Sequence, residues 1–594
     1  MQIELTPNAK VVVEHRYLLK DETGRLLETS EQMFRRVARV IADVDRAYEG
    51  AAEAAAMEER YFEAMANLLF LPNSPTLMNA GTSLGQLAAC FVLPIADSLD
   101  SIFTSVRDAA VIHQTGGGTG FSFSGLRPKG DRVRESGGVA SGPVSFIRVF
   151  DTATEVIKQG GRRRGANMAV LSISHPDILE FVTVKDDPAR LTNFNLSVGV
   201  PDAFMVALEH DASWPLVNPR SGAPVRTIRA RELWQAIADG AWRTGDPGVL
   251  FADAIERGNP TPALGRLEAT NPCGEQPLLP YEACNLGSIN LARLVDGEAL
   301  DGERLDELVR LGVRFLDNVV DASRYPLPAI EHIVRANRKI GLGVMGLAEA
   351  LIRLGIPYAS DQALAWLDQV MGRIARVARA ASADLAQRRG AFANCDRSTW
   401  PERGEPRMRN ATLITVAPTG TLAIVAGTSS GIEPLFGLAY LRKALDGAEL
   451  TEVNPLFLAE LERRRLPAAS IVERVLKSGT LREVADAPAD LRSLFATAYD
   501  VAPEWHVRMQ ATAQRHADNG VSKTVNLPRG ATPEGVRKIY ELAFRLGCKG
   551  VTVFRDGCRG DQVLQLGQVP AFVIEDSVAR ATAEYTGECR VCDV

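Results

Sequence analysis

The chain has 594 residues, of which 46% are hydrophobic and 24% charged. That is ordinary globular composition, and it excludes a collagen-like chain, a dominantly disordered one and a small disulfide-stapled scaffold. The net charge of −6 gives no general attraction to nucleic acid or to anionic membranes, so neither is expected as a partner. In chain order, the N-terminal stretch MQIELTPNAKVVVEHRYLLKDETG has no basic head followed by an apolar run and does not read as a signal peptide. Residues 29 to 71 read as helical. Thr29 and Gln32 have capping-box spacing, and Met33, Phe34, Val37, Ile41 and Val44 fall on one helical face. From about residue 72 to 435, short β-like runs (MAVLSIS from Met168, LSVGV from Leu196, ATLITV from Ala411) alternate with helical stretches, the clearest spanning residues 361 to 390. That alternation predicts an α/β architecture with a largely parallel sheet. Residues 446 to 520 read as mostly helical, KGVTVF from Lys549 as a last strand, and residues 559–594 as a flexible tail. The most apolar long stretch, residues 413–432, holds a proline, three glycines and several hydroxyls. It lacks the roughly 20 predominantly apolar residues of a membrane span, so a cytoplasmic, soluble protein is expected.

Two familiar patterns lack the context they need. GLGVMG, residues 341–346, fits the dinucleotide fingerprint, but little apolar sequence beyond Ile340 precedes it to form a buried first strand. It reads as a tight turn into the helix holding Leu347 and Leu351. GTSSG, residues 427–431, fits the serine-hydrolase elbow, but Ile432-Glu433-Pro434 follows where a helix should begin.

The eight cysteines are Cys90, Cys273, Cys284, Cys395, Cys548, Cys558, Cys589 and Cys592. In a large chain without secretory features, such residues are more often catalytic, metal-binding or buried than staples. The informative segment is NPCGEQPLLPYEACNLGSINL, residues 271–291, where an amide, a thiol and a carboxylate alternate at Asn271, Cys273 and Glu275. In extended backbone, residues i, i+2 and i+4 share a face, so the three could point into one cavity. The plainer reading is a loop with a buried structural cysteine. PTGT (Pro418, Thr419, Gly420 and Thr421) follows an apolar run ending at Val416. Backbone N–H groups and hydroxyls at such a turn suit phosphate, although an ordinary turn has the same composition. KQGGRRRGAN, residues 158–167, is a strongly basic loop, read either as a solvated surface or as a nucleic-acid patch.

Other segments decide among these readings. They are LPNSPTLMNAG, AACFVLPI around Cys90, QTGGGTGFSFSGLRP, GGVASGPVSFIRVFDTATEVIKQGGRRRGANM, NRKIGLGVMGLAEAL, APTGTLAIVAGTSSGIEPLF, SKTVNLP and CKGVTVFRDGCR. Together with NPCGE and the second cysteine at Cys284, they resemble the adenosylcobalamin-dependent (vitamin B12, class II) ribonucleotide reductases from about residue 5 to 560. The resemblance implies a ten-stranded α/β barrel of two five-stranded parallel halves with an inner finger loop, preceded by a small helical region. The implied division is a helical region at 1–71, the barrel at 72–558 and the tail at 559–594. It implies radical-based reduction of ribonucleotides, diphosphates in the first place, to 2′-deoxyribonucleotides. Cys273 would be the thiyl-radical cysteine and Glu275 the acid/base group near the 3′-hydroxyl. Asn271 would hold the substrate hydroxyls, and Cys90 and Cys284 would be the thiol pair that becomes a disulfide. Ser74, the TGGGTG loop and Pro418, Thr419, Gly420 and Thr421 would line the substrate pocket, the last four at the phosphates. Asp151 and the loop with Lys158, Gln159, Arg162 and Arg163 would read a deoxynucleoside triphosphate effector at a homodimer interface.

The radical generator follows from what the other classes need. The ten tyrosines include no adjacent pair, VTVFRDG stands near the C-terminal strand, and RVCDV at Arg590 is not a glycyl-radical motif. Adenosylcobalamin, with its cobalt, is therefore the expected cofactor, with no protein metal site assigned. The alternatives are the large subunit of an oxygen-dependent reductase and a non-catalytic nucleotide-binding regulator. Cys589 and Cys592, a Cys-x-x-Cys near the end of the chain, are expected to shuttle electrons from a thioredoxin-like reductant. A zinc site with Cys548 and Cys558 is the other reading of that pair. Because the family pattern starts at Leu5, dNTPs are expected to tune substrate choice without shutting the enzyme off.

Overall fold

The computed structural model describes residues 3–132, 137–159, 163–297, 299–443 and 449–558. Arg162 of the basic loop and the tail pair Cys589 and Cys592 lie outside them. The predicted capping box is present. The Thr29 hydroxyl accepts from the Gln32 N–H, the Gln32 side chain accepts from the Thr29 N–H, and helix α1 (Ser30–Ala42) follows. Its face of Met33, Phe34, Val37 and Ile41 is fully buried, against α2 (Ala51–Ala66). The helical stretch is not continuous. A short helix, Asp45–Glu49, separates the two and ends at Gly50, whose φ of 90° only glycine adopts readily. Strand β1 (Phe70–Pro72) then enters the sheet.

Five strands form the first parallel set, in order β2 (Cys90–Val92), β3 (Gly118–Ser122), β4 (Asn167–Ser172), β5 (Phe194–Val200) and β6 (Gly248–Phe251). In the second set, β7 (Ala283–Asn290) runs parallel to β8 (Ile340–Met345), and β9 (Thr524–Leu527) parallel to β10 (Gly550–Arg555). The sets meet antiparallel at β6–β10 and at β2–β7, and β1 also pairs antiparallel with β7. ATLITV lies between β8 and β9 and makes two single parallel bridges, Ile414 with Leu342 and Val416 with Val521. It is not a regular strand, because the Leu413 and Ile414 N–H groups donate to the Asp518 carboxylate. Helices α3 (Leu99–Gln114), α4 (Pro143–Val156), α5 (Gly302–Ala322) and α6 (Asp361–Arg389) lie outside the strands. Burial on both faces explains the unbroken apolar character of runs such as β8.

Two expectations change. GLGVMG is not a turn: residues 340–345 are strand β8, and only Gly346, with φ 77°, turns. Gly343 is needed because a Cβ there would overlap the Thr415 carbonyl oxygen. The helical stretch predicted from residue 446 is preceded by a hairpin of Ala439–Lys443 with Glu449–Val453, and its helices begin at Pro455. Among the described residues no helix is long and apolar enough to cross a membrane.

Candidate active site

A small apolar cluster, separate from the main core, gathers Cys90, Val92, Met168, Val170, Leu250, Leu286, Cys284 and Ala417, with half-buried Cys273 against it. A finger enters here from between β6 and β7. Its two sides, Ala269–Thr270 and Pro277–Leu278, pair antiparallel, and Gly274, with φ 81°, lies at its tip. The finger lies against β3 and β4. The glycines of TGGGTG make this possible: a Cβ on Gly120 would overlap the Thr270 carbonyl oxygen, and one on Gly118 would press on the Pro272 ring. Those glycines therefore admit the finger.

The spacing argument for Asn271, Cys273 and Glu275 reached convergence by the wrong route. The segment is a tight turn and not extended backbone. Gly274 N–H donates to the Asn271 carbonyl (3.1 Å), and Gln276 N–H donates to Asn271 Oδ1 (2.9 Å). Further bonds fix the finger. Asn195 Nδ2 donates to the Pro272 carbonyl (2.8 Å), Gln276 Nε2 to Thr415 Oγ1 (2.7 Å), and Gly520 N–H to the Glu275 carbonyl (2.7 Å). Sequence reasoning missed these supports, since each pairs the finger with a segment far away in the chain.

Cys284 lies directly opposite Cys90 across the β2–β7 ladder, and both are fully buried. Asn271 Nδ2 donates to Cys90 Sγ at 3.1 Å. Burial pushes the Cys90 thiol well up, and Glu275, Cys273 and Cys284 add to it. Burial likewise raises Cys284, with Lys339 pulling the other way. Both groups are therefore neutral thiols at ordinary pH. Glu275 is also fully buried, and neither carboxylate oxygen has a hydrogen-bond partner within the protein. Burial raises it to about 7, against the pull of the nearby Asn271 amide.

Cys273 opens onto a cleft of about 890 Å³, open solvent included, walled by Asn195, Pro418, Val521–Thr524 and Gly550–Phe554. A Cβ on Gly274 would meet nothing within 4 Å, so there is open space beside the thiol. In the cleft wall, buried Lys523 donates to Glu433, to His506 Nδ1 (2.8 Å) and to the Thr524 carbonyl (2.9 Å). With Nδ1 accepting, His506 Nε2–H donates to the Ala498 carbonyl (3.0 Å). Burial lowers both Lys523 and His506, with Glu433 opposing the shift at the lysine.

Ser74 opens a short helix capped by Asn73, whose N–H donates to the Leu286 carbonyl of β7. Thr419, in the left-handed region (φ 62°), begins helix α7 (Gly420–Ala426), and Pro418 reaches the cleft. Asp151 sits on α4, and its Oδ1 accepts from Asn193 N–H (2.9 Å) and Nδ2 (3.1 Å). Beyond α4, Lys158 and Gln159 pair with Arg163 and Arg164 as a hairpin. Cys395 and Cys548 are buried and Cys558 is half-buried.

Known proteins resemble this chain in sequence and fold. The family model described as ribonucleotide reductase, barrel domain, matches residues 88–554, and that described as ribonucleotide reductase, all-alpha domain, matches residues 3–85. A vitamin B12-dependent ribonucleoside-diphosphate reductase of Mycobacterium tuberculosis (strain ATCC 25618 / H37Rv) is 50% identical over 595 residues, covering 100% of this chain and 83% of that protein. One of Thermoplasma acidophilum is 47% identical over 621 residues, covering 95% of this chain and 81% of that protein. The solved class Id ribonucleotide reductase alpha subunit of Actinobacillus ureae matches at a TM-score of 0.76 and 22% identity, over 93% of this chain and 97% of that one. At that identity the likeness speaks for the fold.

Proposed function

This chain belongs to the ribonucleotide reductase family, and from that premise we propose that it reduces ribonucleoside diphosphates to 2′-deoxyribonucleoside diphosphates with adenosylcobalamin. The observation that carries the reading is the finger turn itself. It brings a half-exposed thiol, a buried carboxyl without a partner and an amide to a facing pair of buried thiols.

Each residue has a task suited to its surroundings. Cys273, as a thiyl radical, takes the 3′-hydrogen of the ribose and later returns it. Glu275 is poised near neutrality to accept and give back the 3′-hydroxyl proton. Its unpartnered oxygens mark where a substrate hydroxyl would bind, beside the Asn271 amide. Cys90 and Cys284 supply two electrons and two protons: the 2′-hydroxyl leaves as water and an S–S bond forms between them. Their cross-strand placement and neutral state fit this. Adenosylcobalamin, when bound, supplies the hydrogen-abstracting equivalent that Cys273 relays. The cleft onto which Cys273 opens is where such a group would approach the thiol, and its enclosed space of about 80 Å³ would take only the edge of so large a molecule. The cleft walls at Asn195, Val521–Thr524 and Gly550–Phe554 would hold it.

The turn of Pro418, Thr419, Gly420 and Thr421 would bind the substrate phosphates, and Ser74, expected in the same pocket, would join them. Asp151 with Lys158, Gln159, Arg162 and Arg163 would bind a dNTP effector. The chain would work as a homodimer with the effector at its interface; Leu99 and Phe103 on α3 and Val156 on α4 are exposed apolar residues. Cys589 and Cys592 would pass electrons inward from a thioredoxin-like reductant by thiol–disulfide exchange, in the cytoplasm. The buried Cys90–Cys284 site gives a bulky reductant no access, which supports that reading.

The test is CDP reduction by purified protein with and without adenosylcobalamin. Product forms only with the cofactor, and Cys273→Ser abolishes it while nucleotide binding survives. Turnover by Cys273→Ser would overturn the assignment. A Cys589→Ser, Cys592→Ser double variant turns over with a small dithiol and fails with a thioredoxin system. Full steady-state activity with thioredoxin would remove the shuttle.

A further inference from the structure

The N-terminal segment reaches both hydroxyl-bearing turns assigned above to the substrate phosphates. Residues Val13–Tyr17 form a wide π-helical turn that follows the helix Pro7–Val12. From this turn, Arg16 Nη1 donates to Thr421 Oγ1 at 2.8 Å, and the Tyr17 hydroxyl shares a hydrogen bond with Ser74 Oγ at 2.8 Å. Arg16 is 8% exposed, Thr421 1% and Tyr17 0%, so these bonds are made away from solvent. Ser74 and Thr421 are far apart in sequence, and two consecutive residues of one turn tie them together.

The hydrogen-bond chemistry has a direction at Thr421. A guanidinium only donates, so the Thr421 oxygen must act as acceptor, and its single proton is left to donate elsewhere. A cation on the oxygen also polarises that O–H and makes it a stronger donor to an anionic oxygen. Tyr17 fixes the position of the Ser74 hydroxyl, with either group able to donate, through a rigid ring buried in the core.

We propose that Arg16 and Tyr17 are positioning residues for the substrate diphosphate, acting through the hydroxyls of Thr421 and Ser74. The inference rests on the assignment of those turns to substrate phosphate. It makes the N-terminal region part of the substrate site, and diphosphate affinity depends on how that region is seated.

The experiment compares wild type with Arg16→Met, Arg16→Lys and Tyr17→Phe, each as the full chain. For Arg16→Met the KM for CDP rises by roughly tenfold, the loss of one charge-assisted interaction, with kcat within about threefold. Competitive inhibition by inorganic pyrophosphate weakens in parallel, effector binding is unchanged, and Arg16→Lys recovers part of the loss. Tyr17→Phe keeps the packing and raises KM by about threefold, the scale of one neutral hydrogen bond. It therefore tests the idea even if Arg16→Met does not fold. Unchanged KM and pyrophosphate inhibition in the folded variants would overturn the inference. So would loss of kcat with KM intact and no recovery by lysine. Wild type that fails to reduce CDP would instead overturn the functional reading.

Discussion

Glu275 shows how one residue joins stability to chemistry. It is fully buried without a hydrogen-bond partner, and burial raises it from 4.5 to about 7. A carboxyl raised in the folded state contributes its full stability below the unfolded value near 4.5. That contribution is lost as pH rises through 7, with a total cost of about 3 kcal/mol at alkaline pH. Glu275→Gln, which cannot ionise, should therefore gain stability relative to wild type between pH 5 and 8. The same substitution should reduce CDP turnover by at least about a hundredfold through loss of the acid/base group. Denaturant unfolding at both pH values checks the first outcome, and a stability difference that does not change with pH would contradict it. The sequence made Asn271, Cys273 and Glu275 legible as a group. It did not show Lys339 beside Cys284, or Lys523 with Glu433 and His506 in the cleft wall, because those partners come from separate strands and loops.

At the scale of elements, the finger depends on what lies behind it. Gly120 belongs to β3, and its missing Cβ leaves the space that the Thr270 carbonyl occupies, just before Asn271. Gly120→Ala should displace the finger and cost roughly 1–3 kcal/mol by overpacking. Activity should fall further than stability, because a shift of about 1 Å in Cys273 is enough to cost about a hundredfold in rate. Thermal unfolding and turnover measured on the same preparation check this; a variant with unchanged turnover would show that the finger tolerates the displacement. The strands MAVLSIS and LSVGV and the helix from Asp361 were legible because each carries its own period and burial pattern. The strand at GLGVMG was not. Glycine there records close approach by Thr415 and Leu286, and contacts between distant segments leave no local periodicity.

Across the whole molecule, a buried ionic network seats the N-terminal helices on the rest of the chain. Arg389, at the end of α6, pairs with Asp45 and with Glu49 (2.7 Å). Arg314 of α5 reaches Asp45 (3.1 Å), Glu49 (2.6 Å) and Glu53 (2.8 Å). Asp317 of α5 meets Arg338 (2.8 Å) and Arg409 (3.2 Å). Burial alone would raise Asp317, but Arg338, Arg409 and Arg389 hold it below the usual carboxylate range. Arg389→Met leaves Asp45 buried with one partner fewer and should destabilise the protein by about 3–5 kcal/mol. Denaturant unfolding measures this, and a loss under about 1 kcal/mol, the scale of a surface pair, would show that the network does not seat the helices. The sequence by itself determined the α/β class, the capping box at Thr29 and the family, and it singled out Asn271, Cys273 and Glu275 with Cys90 and Cys284 as the residues proposed for the chemistry. Those features are written in local periodicity, cap chemistry and short motifs, which need no distant partner. Only the tertiary structure decided that Cys90 and Cys284 face each other across an antiparallel join, that the finger turns at Gly274, and that Arg16 and Tyr17 meet Thr421 and Ser74. Each of those facts is a contact between segments far apart in the chain, fixed by how strands pair and where small residues permit close packing.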